Sequence, residues 1–397
     1  MSKGTIIYIG GFELPDRNAA AHRVMANGKI LRDLDYDVVF LGVDSCTERG
    51  NGLRRNDCFG FECWSVPYPK GTLAWIRYIV GLPGILSFLK QARNVQVRGV
   101  ICYNYPAIAS LRIWALCKSL GLKMLSDATE WYDASAGGPI YRAIKYTDTI
   151  LRMHLVHRLA DGVITTSKFL TDFYASRRKI TVELPTLFDT DNFVTPPRSS
   201  DRPNKKFIYM GSPFDAGRVN KQRTNLKERL DVCVTLFHQL YSAGERFSFD
   251  IYGITAEDYL HVFPEHSEPL REMSGLVCFH GRQPHALVLA QIVDSDFSIF
   301  FRDRTRVTLA GFPSKLAESI SCGTPVISNT MVSLENYTGC PGLFLAHRGF
   351  ELELLKKLMA YTPAEIAEIK RQSYESKSFD YRKYAAPVST FLGASGV

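Results

Sequence analysis

The chain has 397 residues, of which 46% are hydrophobic and 22% are charged, and its formal net charge is +8. This composition is that of a globular protein, and the length is enough for two domains with separate cores. The basic residues are not interleaved with stacking aromatic side chains, so nucleic acid is not the expected partner. The charge instead favours anionic nucleotide sugars or an anionic membrane surface.

The nine cysteines are scattered and none forms a Cys-x-x-Cys pair, which predicts reduced thiols rather than a disulfide framework or a zinc site. The chain opens on Met-Ser-Lys-Gly and runs directly into the apolar segment Thr5–Ile9 without a secretory signal pattern. The longest apolar stretch, Tyr78–Leu89, is interrupted by Pro83 and is shorter than the roughly 20 residues that span a bilayer. We therefore expect a cytoplasmic protein.

Short apolar runs alternate with helical patterns along the first half of the chain. Parallel sheets covered by helices on both faces produce this alternation. Ser167 is a good N-cap for a helix that follows a strand. The predicted strands are Thr5–Ile9, Val38–Leu41, Val100–Tyr103, Lys123–Ser126 and Gly162–Thr165, and the predicted helices are Ala19–Leu34, Ile108–Leu120 and one that starts after Ser167.

The same alternation restarts after Leu187–Pro203, a segment rich in Thr, Asp, Pro, Ser and Arg that reads as a linker. The sequence therefore predicts an α/β protein of two doubly wound domains that face each other across a cleft, with ligands at the carboxyl ends of the strands. The predicted strands of the second half are Phe207–Met210, Phe247–Tyr252, Val277–His280, Phe297–Phe301 and Val326–Ser328, and the predicted helices include Arg229–Leu240, Ala286–Ile292 and, at the tail, Phe379–Leu392.

One segment, residues 311–327, carries the clearest chemical signal. A Gly-Phe-Pro turn leads into a short helix that contains Glu318 and stops at Gly323, and an apolar strand follows Pro325. A helix N-terminus offers free backbone amides and a positive dipole end, so it can hold a diphosphate. Glu318 lies about one turn inside the helix, where a carboxylate can grip the two hydroxyls of a ribose. An ordinary surface helix with a glycine stop is the alternative.

The segment resembles the donor-binding signature of family 4 retaining glycosyltransferases, Gly-Phe-Pro-(Thr/Ser)-Lys-x-x-Glu-x-x-x-x-Gly-x-Pro-Val-Ile. The resemblance extends over nearly the whole chain and implies the GT-B fold. It implies a Rossmann-like acceptor-binding domain in residues 1–186 and a Rossmann-like nucleotide-sugar domain in residues 187–375. Residues 376–397 would form a last helix that crosses back onto the first domain.

The resemblance places most donor-binding candidates in the second domain. The Gly-rich turn of that domain resembles Tyr209-Met210-Gly211-Ser212. A family segment whose lysine neutralises the diphosphate resembles Lys227-Glu228-Arg229-Leu230-Asp231. The family loop beside the nucleotide base resembles Phe279-His280-Gly281-Arg282. The predicted donor-binding residues are Gly11, Gly211, Ser212, Arg218, Lys227, Gly281, Arg282, Gly311, Phe312, Pro313, Ser314, Lys315, Leu316 and Glu318.

The chain departs from the family pattern at two positions. Ser212 stands where many members have an arginine for the diphosphate, and Ala310 stands where the usual signature has its first glutamate, which faces the transferred sugar. The basic residues Arg218, Lys221 and Arg223 of a nearby insert can replace the arginine, or they form a solvated loop. The change at Ala310 leaves the donor preference open.

In the first domain the candidates are fewer. Gly10-Gly11-Phe12 and the helix after it resemble the first loop and helix of the family, where Arg17, His22 and Arg23 are candidates for acceptor binding or for capping a surface helix. Asp127 and Glu130 stand where many members carry a histidine loop near the reacting sugar. They are candidate catalytic residues together with Lys227, or they are hydrogen-bonded structural acids.

The implied reaction is retaining glycosyl transfer, in which cationic side chains and a helix N-terminus stabilise the leaving diphosphate. Asp294-Ser295-Asp296 could pass for a metal-binding motif, but it leads into an apolar strand, and we expect no metal and no cofactor besides the nucleoside-diphosphate sugar. The expected partners are that donor and a glycan or lipid-linked acceptor in bacterial surface polysaccharide synthesis. A nucleotide-sugar epimerase and a non-catalytic nucleotide-sugar-binding scaffold are the alternatives.

The segment Trp75–Leu89 either packs as ordinary helices or lies on a membrane surface. Together with the net charge it suggests peripheral attachment to the inner face of the cell membrane.

Overall fold

A computed structural model of the chain describes residues 2–15, 17–45, 53–80, 96–132, 138–191, 202–214, 219, 223 and 226–397. The chain divides into two compact units. The first unit contains Met1–Leu187, Ala310–Phe312 and Tyr381–Val397, and the second contains Phe188–Leu309 and Pro313–Asp380. The boundary therefore falls at the start of the segment that the sequence predicts as a linker, most of which lies outside the described residues.

The first unit is built on an eight-stranded sheet in the order β3-β4-β2-β1-β5-β6-β7-β8. All neighbouring strands run parallel except β3 and β4, which form an antiparallel pair at one edge. Its strands are β1 (Thr5–Gly10), β2 (Asp37–Asp44), β3 (Arg54–Cys58), β4 (Phe61–Pro67), β5 (Val97–Tyr103), β6 (Lys123–Ala128), β7 (Gly162–Thr165) and β8 (Thr181–Glu183).

Helices cover both faces of this sheet, which explains why β1 is buried along its whole length. Two side chains cap the helices as their types predict: Asn18 accepts from the amide of Ala21, and Ser167 accepts from the amide of Leu170. The helices up to the linker are α1 (Ala19–Asp33), α2 (Thr72–Val80), α3 (Ala107–Ser119), α4 (Pro139–Leu151), α5 (His157–Leu159) and α6 (Lys168–Ala175), with a π-helical turn at Arg152–Val156.

The C-terminal segment belongs to the first unit. Its last helix, Ala385–Ser395, buries Val388, Phe391 and Leu392 in the same core cluster as the inner side of α1. The Tyr36 hydroxyl donates to the carbonyl of Val397 over 3.3 Å. The chain thus returns to its first sheet at its end.

The second unit is built on a six-stranded, all-parallel sheet in the order β11-β10-β9-β12-β13-β14. Its strands are β9 (Lys205–Met210), β10 (Phe247–Tyr252), β11 (Val277–Gly281), β12 (Phe297–Ile299), β13 (Val326–Asn329) and β14 (Leu343–Ala346). Its helices are α7 (Leu230–Ser242), α8 (Ala256–Val262), α9 (Ser267–Glu272), α10 (His285–Asp294), α11 (Arg306–Ala310), α12 (Ser314–Ser321), α13 (Glu351–Met359) and α14 (Pro363–Ser376), and the C-terminal helix described above is α15.

Candidate functional site

Three glycine turns meet at the carboxyl ends of β9, β10 and β11. The amide of Gly211 donates to the carbonyl of Tyr252 over 2.9 Å, and the amide of Gly253 donates to the carbonyl of Gly281 over 2.7 Å. A Cβ on Gly253 would stand 2.6 Å from the carbonyl carbon of Gly211, and Gly211 itself has φ of +98°. Glycine is required here because backbone lies directly on backbone.

Lys315, the second residue of α12, reaches back toward the turn at Gly211. A Cβ on Gly211 would lie 2.8 Å from the Lys315 Nζ atom. The ammonium also lies 5.2 Å from the centre of the Tyr209 ring. The N-terminus of α12, the Lys315 ammonium and the Gly211 turn therefore adjoin one another in the second unit.

Glu228 holds Lys315 in this position. Lys315 Nζ is 2.6 Å from Glu228 Oε2, and the two side chains are 11% and 2% exposed. The Tyr209 hydroxyl donates to the same oxygen over 2.5 Å. Because the pair is buried and hydrogen-bonded on both sides, it fixes α12 against β9.

The charge state of this cluster follows from its neighbours. Burial opposes ionisation of Glu228, but the positive charges of Lys315 and Arg302 outweigh it and hold the pKa of that carboxyl below its usual range. Burial lowers the pKa of Lys315, and the Glu228 carboxylate acts against this shift. Burial together with the Glu228 carboxylate raises the pKa of Tyr209 well above its usual value, so the hydroxyl stays a donor.

Glu318 lies one turn further along α12 and is partly exposed. Its Oε1 atom is 2.5 Å from Nε2 of His285, the first residue of α10. The helix α10 starts four residues after Gly281, the last residue of β11. The imidazole therefore holds one carboxylate oxygen, and the carboxylate stands at the same sheet edge as the loop that contains Gly281 and Arg282.

The remaining donor-binding candidates of the second unit differ in their surroundings. The exposed Ser212 hydroxyl donates to the carbonyl of Phe214 over 2.8 Å, and the exposed Lys227 follows the turn, with its amide donating to the carbonyl of Pro213 over 3.1 Å. Arg218 and Lys221 lie outside the described residues. Arg223, which belongs to the same insert, forms an ion pair with Glu265.

The signature segment itself is divided at its proline. Ala310 is the last residue of α11, and Ala310–Phe312 group with the first unit, whereas Pro313 and α12 group with the second. Ser314 starts α12 after Pro313 and is exposed, while Leu316 is buried in the core. Amides in the first turn of a helix have no partner within the helix, so those of residues 314 and 315 are available to an anion by geometry.

Asp127 of the first unit is bound on all sides. It is completely buried at the end of β6, where Arg23 donates to both of its oxygens, with an Nη2–Oδ1 distance of 2.7 Å. The Tyr8 hydroxyl donates to Oδ2 over 2.5 Å, and Asn27 donates to the same oxygen over 3.3 Å. This geometry favours the structural alternative for Asp127 and Arg23 over contact with a substrate.

The other candidates of the first unit lie at its surface. Glu130 is exposed two residues after β6, and Gly11 is exposed after β1. Arg17 donates to Asp44 at the end of β2 over 3.0 Å, and His22 is half-buried on α1. Arg17 and Glu130 therefore remain accessible at the carboxyl ends of the strands.

Asp294 and Asp296 are used by the fold. Lys206 Nζ lies 2.9 Å from Asp294, which also pairs with Arg202, and Asp296 accepts the amide of Lys206 over 2.8 Å. Basic partners lower the pKa of Asp294 against the effect of its burial. Within the described ranges there is no group of three or more His, Cys, Asp or Glu residues arranged to hold a metal ion.

No protein-family model matches the chain, and no curated protein matches it in sequence. Solved structures do match. Sucrose-phosphate synthase from Thermosynechococcus elongatus aligns over 98% of both chains with a TM-score of 0.69 and 13% identity. The catalytic domain of starch synthase IV from Arabidopsis thaliana, bound to ADP and acarbose, aligns over 100% of both chains with a TM-score of 0.67 and 11% identity. HepE from Anabaena, in complex with UDP and glucose, aligns over 98% of this chain and 100% of its own with a TM-score of 0.61 and 13% identity.

The chain has the GT-B fold. The predicted fold class is confirmed by these full-length alignments, and at such low identity they establish the fold alone. No helix among the described residues is long and apolar enough to cross a bilayer.

On this GT-B framework most of the residues that the sequence predicts for a donor lie in the second unit. The structure brings the turns at Gly211 and Gly281 and the side chain of Lys315 together there. Sequence reasoning missed His285 and Glu228, the two residues that hold Glu318 and Lys315. One signal for Glu228 was present, since it lies inside the Lys-Glu-Arg-Leu-Asp segment next to the predicted phosphate lysine. No local pattern marks His285, because its partner lies 33 residues away.

Proposed function

We propose that this protein is a retaining glycosyltransferase that moves a sugar from a nucleoside-diphosphate sugar to a glycan or lipid-linked acceptor. The observation that carries the proposal is the cluster of the Gly211 turn, Lys315 and Glu318 at the carboxyl ends of the strands of the second sheet. The cluster supplies, within one unit, a close backbone approach, a cation at a helix start and a partly exposed carboxylate. These are the groups that a nucleoside diphosphate requires.

We assign the roles by chemistry. Glu318, oriented by His285, accepts hydrogen bonds from the two ribose hydroxyls through its remaining oxygen. The amides at the start of α12 and the ammonium of Lys227 bind the diphosphate. Lys315 reinforces the positive potential beside Gly211 while it stays paired with Glu228. HepE from Anabaena, whose structures contain UDP and UDP-glucose, has the same fold, and this supports a nucleotide sugar as the ligand.

The chemical step needs charge stabilisation at the leaving diphosphate. As the glycosidic bond to phosphate breaks, negative charge grows on the phosphate oxygens, which Lys227 and the start of α12 stabilise. The leaving phosphate takes the proton of the acceptor hydroxyl on the same face of the sugar, so no protein nucleophile is needed and the anomeric configuration is retained. Of the two first-unit acids, the exposed Glu130 is the one that we place near the substrates, because Asp127 is enclosed by its partners.

We place the reaction in bacterial surface polysaccharide or glycoconjugate synthesis, at the cytoplasmic face of the membrane. The net charge of +8 and the apolar segment that starts at Trp75 support this placement. Residues 81–89 of that segment lie outside the described residues.

The test is a panel of UDP-, ADP- and GDP-sugars, in which release of the nucleoside diphosphate is followed with and without glycan and lipid-linked acceptors. Release that rises with an acceptor supports the transferase. An isomerised donor would mean an epimerase, and binding without turnover would mean a scaffold. The same panel is run with Glu318→Ala. Its control is Glu353→Ala, a change at an exposed acid on α13.

We expect the reaction to proceed in EDTA, because basic side chains and the helix dipole supply the positive charge that a metal would bring. The measurement is the initial rate with and without chelator. Complete loss of the rate in chelator, restored by magnesium or manganese, would contradict this and return attention to Asp294 and Asp296.

A further inference from the structure

Three helices lie side by side on one face of the first sheet. Helix α3 packs between α2 and α4. Arg112 of α3 donates to the carbonyl of Val80 at the end of α2, and the amide of Ala107 donates to Asp148 of α4 over 2.7 Å. These links make α2, α3 and α4 a continuous surface on the side of the sheet opposite α1 and α15.

The outer side of this surface is apolar. Ile140 is 77% exposed, and α4 also exposes three further large apolar or aromatic side chains in its first two turns. Helix α2 exposes four more. We call the eight residues the apolar face: Leu73, Trp75, Ile76, Val80, Ile140, Tyr141, Ile144 and Tyr146. Single exposed apolar residues are ordinary on protein surfaces, but a group of this size on adjoining helices marks an interaction site.

Basic residues predominate among the charges on the same helices. Their sequences contain the basic residues Arg77, Arg112, Lys118, Arg142 and Lys145. The only acidic residue in the three helices is Asp148, whose carboxylate accepts the amide at the start of α3. Lys145 lies 5.9 Å from the centre of the Tyr141 ring, so a cation and an aromatic ring of the apolar face stand together. Lys118 is paired with Asp161, just before β7, over 3.1 Å. The three helices themselves carry a net positive charge, with five basic residues and one acidic residue.

We propose that the apolar face and its basic residues form the surface by which this protein docks on an anionic lipid bilayer. Helix α4 has the composition of a helix that lies in the interface, with apolar and aromatic side chains beside Arg and Lys. Its aliphatic and aromatic side chains enter the boundary between headgroups and acyl chains, and the cations remain at the anionic headgroups. This inference rests on the proposed function, since a lipid-linked acceptor is presented at such a surface.

The test is flotation of the full-length protein with vesicles of phosphatidylglycerol and phosphatidylcholine, compared with phosphatidylcholine alone. We expect binding to the anionic vesicles only, and loss of most of it at high salt. Ile140→Ser combined with Ile144→Ser should lower the bound fraction about tenfold. The matched control is Phe350→Ser, which removes an exposed apolar side chain from the second unit.

Charge is tested by Lys145→Glu against Lys357→Glu, a change on the exposed side of α13. Only the first should reduce vesicle binding. Equal binding of all variants, or no binding of the parent protein to anionic vesicles at low salt, overturns the proposal. So does a concentration-dependent dimer that the α4 variants abolish, because the face would then be an interface between copies of this chain.

Titration of each variant with UDP, ADP and GDP separates this proposal from the proposed function. The α4 variants should bind nucleotide like the parent, because their substitutions lie in the first unit. Vesicle binding without any nucleotide binding would leave the docking surface standing while contradicting the transferase. Nucleotide turnover without vesicle binding would support the transferase while contradicting the docking surface.

Discussion

The two units of this protein contain the same buried arrangement, a tyrosine hydroxyl bonded to a carboxylate that is paired with a cation, in different surroundings. Each sheet has a central strand that ends in the sequence Ile-Tyr-x-Gly, with Tyr8 in the first unit and Tyr209 in the second; the glycine is the last residue of β1 and directly follows β9. Each tyrosine hydroxyl donates over 2.5 Å to a buried carboxylate, Asp127 or Glu228. Each carboxylate is paired with a buried cation, Arg23 in the first unit and a lysine of α12 in the second.

The surroundings of the buried ion pair differ between the two units, and they determine whether the cation can contribute to a binding site. The Nη1 atom of Arg23 donates to the carbonyls of Leu184 and Pro185, so the guanidinium ties α1, β6 and the end of β8 together and faces no open surface. Lys315 instead projects from the first turn of a helix and adjoins a glycine turn. A buried ion pair therefore does not mark a binding site by itself. The neighbouring helix start and glycine turn distinguish the second unit.

The largest expected effect is that of Asp127→Asn. The substitution leaves the Arg23 guanidinium buried without its counter-charge, which should destabilise the first unit by about 3–5 kcal/mol. Chemical denaturation measures this directly, because all four tryptophans of the chain lie between residues 64 and 131 of the first unit and report on it alone. Nucleotide affinity should not change.

Arg23→Met combined with Asp127→Leu is the control, since it removes both charges and should recover much of the stability. If the Asp127→Asn protein keeps the stability of the parent but has a reduced kcat, Asp127 acts on the substrate. The comparison between the units would then fail.

The second expected effect is a difference between the two units in the pH dependence of their free energy of unfolding. His157 is buried in the first unit with its Nδ1 atom 2.7 Å from the Tyr174 hydroxyl, and burial together with the charge of Arg152 lowers its pKa to about 3. Between pH 6.5 and 3 the unfolded chain binds a proton there and the folded chain does not. The free energy of unfolding of the first unit should therefore fall as the pH falls, by about 2 kcal/mol between pH 6.5 and 4.5.

In the second unit burial also lowers the pKa of His266, but this histidine is only partly buried, so it should contribute less to the loss of stability below pH 6.5. The Glu228 carboxylate should respond at lower pH. The lowered pKa of Glu228 contributes stability that is present above its unfolded value of 4.5 and is lost as the pH falls through the folded value. Tryptophan fluorescence should therefore change before the far-ultraviolet circular dichroism of the whole chain. In His157→Gln the slope between pH 6.5 and 4.5 should disappear, and an unchanged slope would assign it to other groups.

How far the sequence predicts this fold depends on the element. Buried β-branched runs located β1 and β7 within a residue of their ends, because a strand covered on both faces must be apolar. The edge strand β3, Arg-Arg-Asn-Asp-Cys, has no apolar pattern because it is exposed, and it was not predicted. Helix α4 was not predicted either, although it carries the apolar face.

The site was predicted in part for a similar reason. The signature segment places Lys315 and Glu318 on one short helix, so their neighbourhood follows from helical spacing. Their partners Glu228 and His285 come from other elements, and only the fold brings them within hydrogen-bond distance. Nothing in the sequence indicated that Arg23 and Asp127, which are 104 residues apart, form a pair.

The smallest expected effect concerns the glycine turn. Gly211→Ala places a side chain where φ is +98° and where a Cβ would be 2.8 Å from Lys315 Nζ, so it should cost about 1–2 kcal/mol of stability and lower nucleotide affinity. Gly244→Ala carries a similar φ of +89° with no atom within 4 Å. Thermal unfolding and calorimetric titration should show a stability loss in both and an affinity loss only in Gly211→Ala. Equal nucleotide affinity in the two variants would remove the turn from the site.

The most direct test of the central claim is the affinity of Glu318→Ala for UDP, ADP and GDP, measured by isothermal titration calorimetry beside the parent and Glu353→Ala. Loss of a charge-assisted pair of hydrogen bonds to the ribose should weaken the binding of the preferred nucleotide by roughly 2–3 kcal/mol, which is about 30- to 150-fold. Glu353→Ala should bind like the parent, and the unfolding midpoints of all three should agree. If Glu318→Ala binds the nucleotide as tightly as the parent, or if the parent binds none of the three, the second unit does not contain the donor site described here.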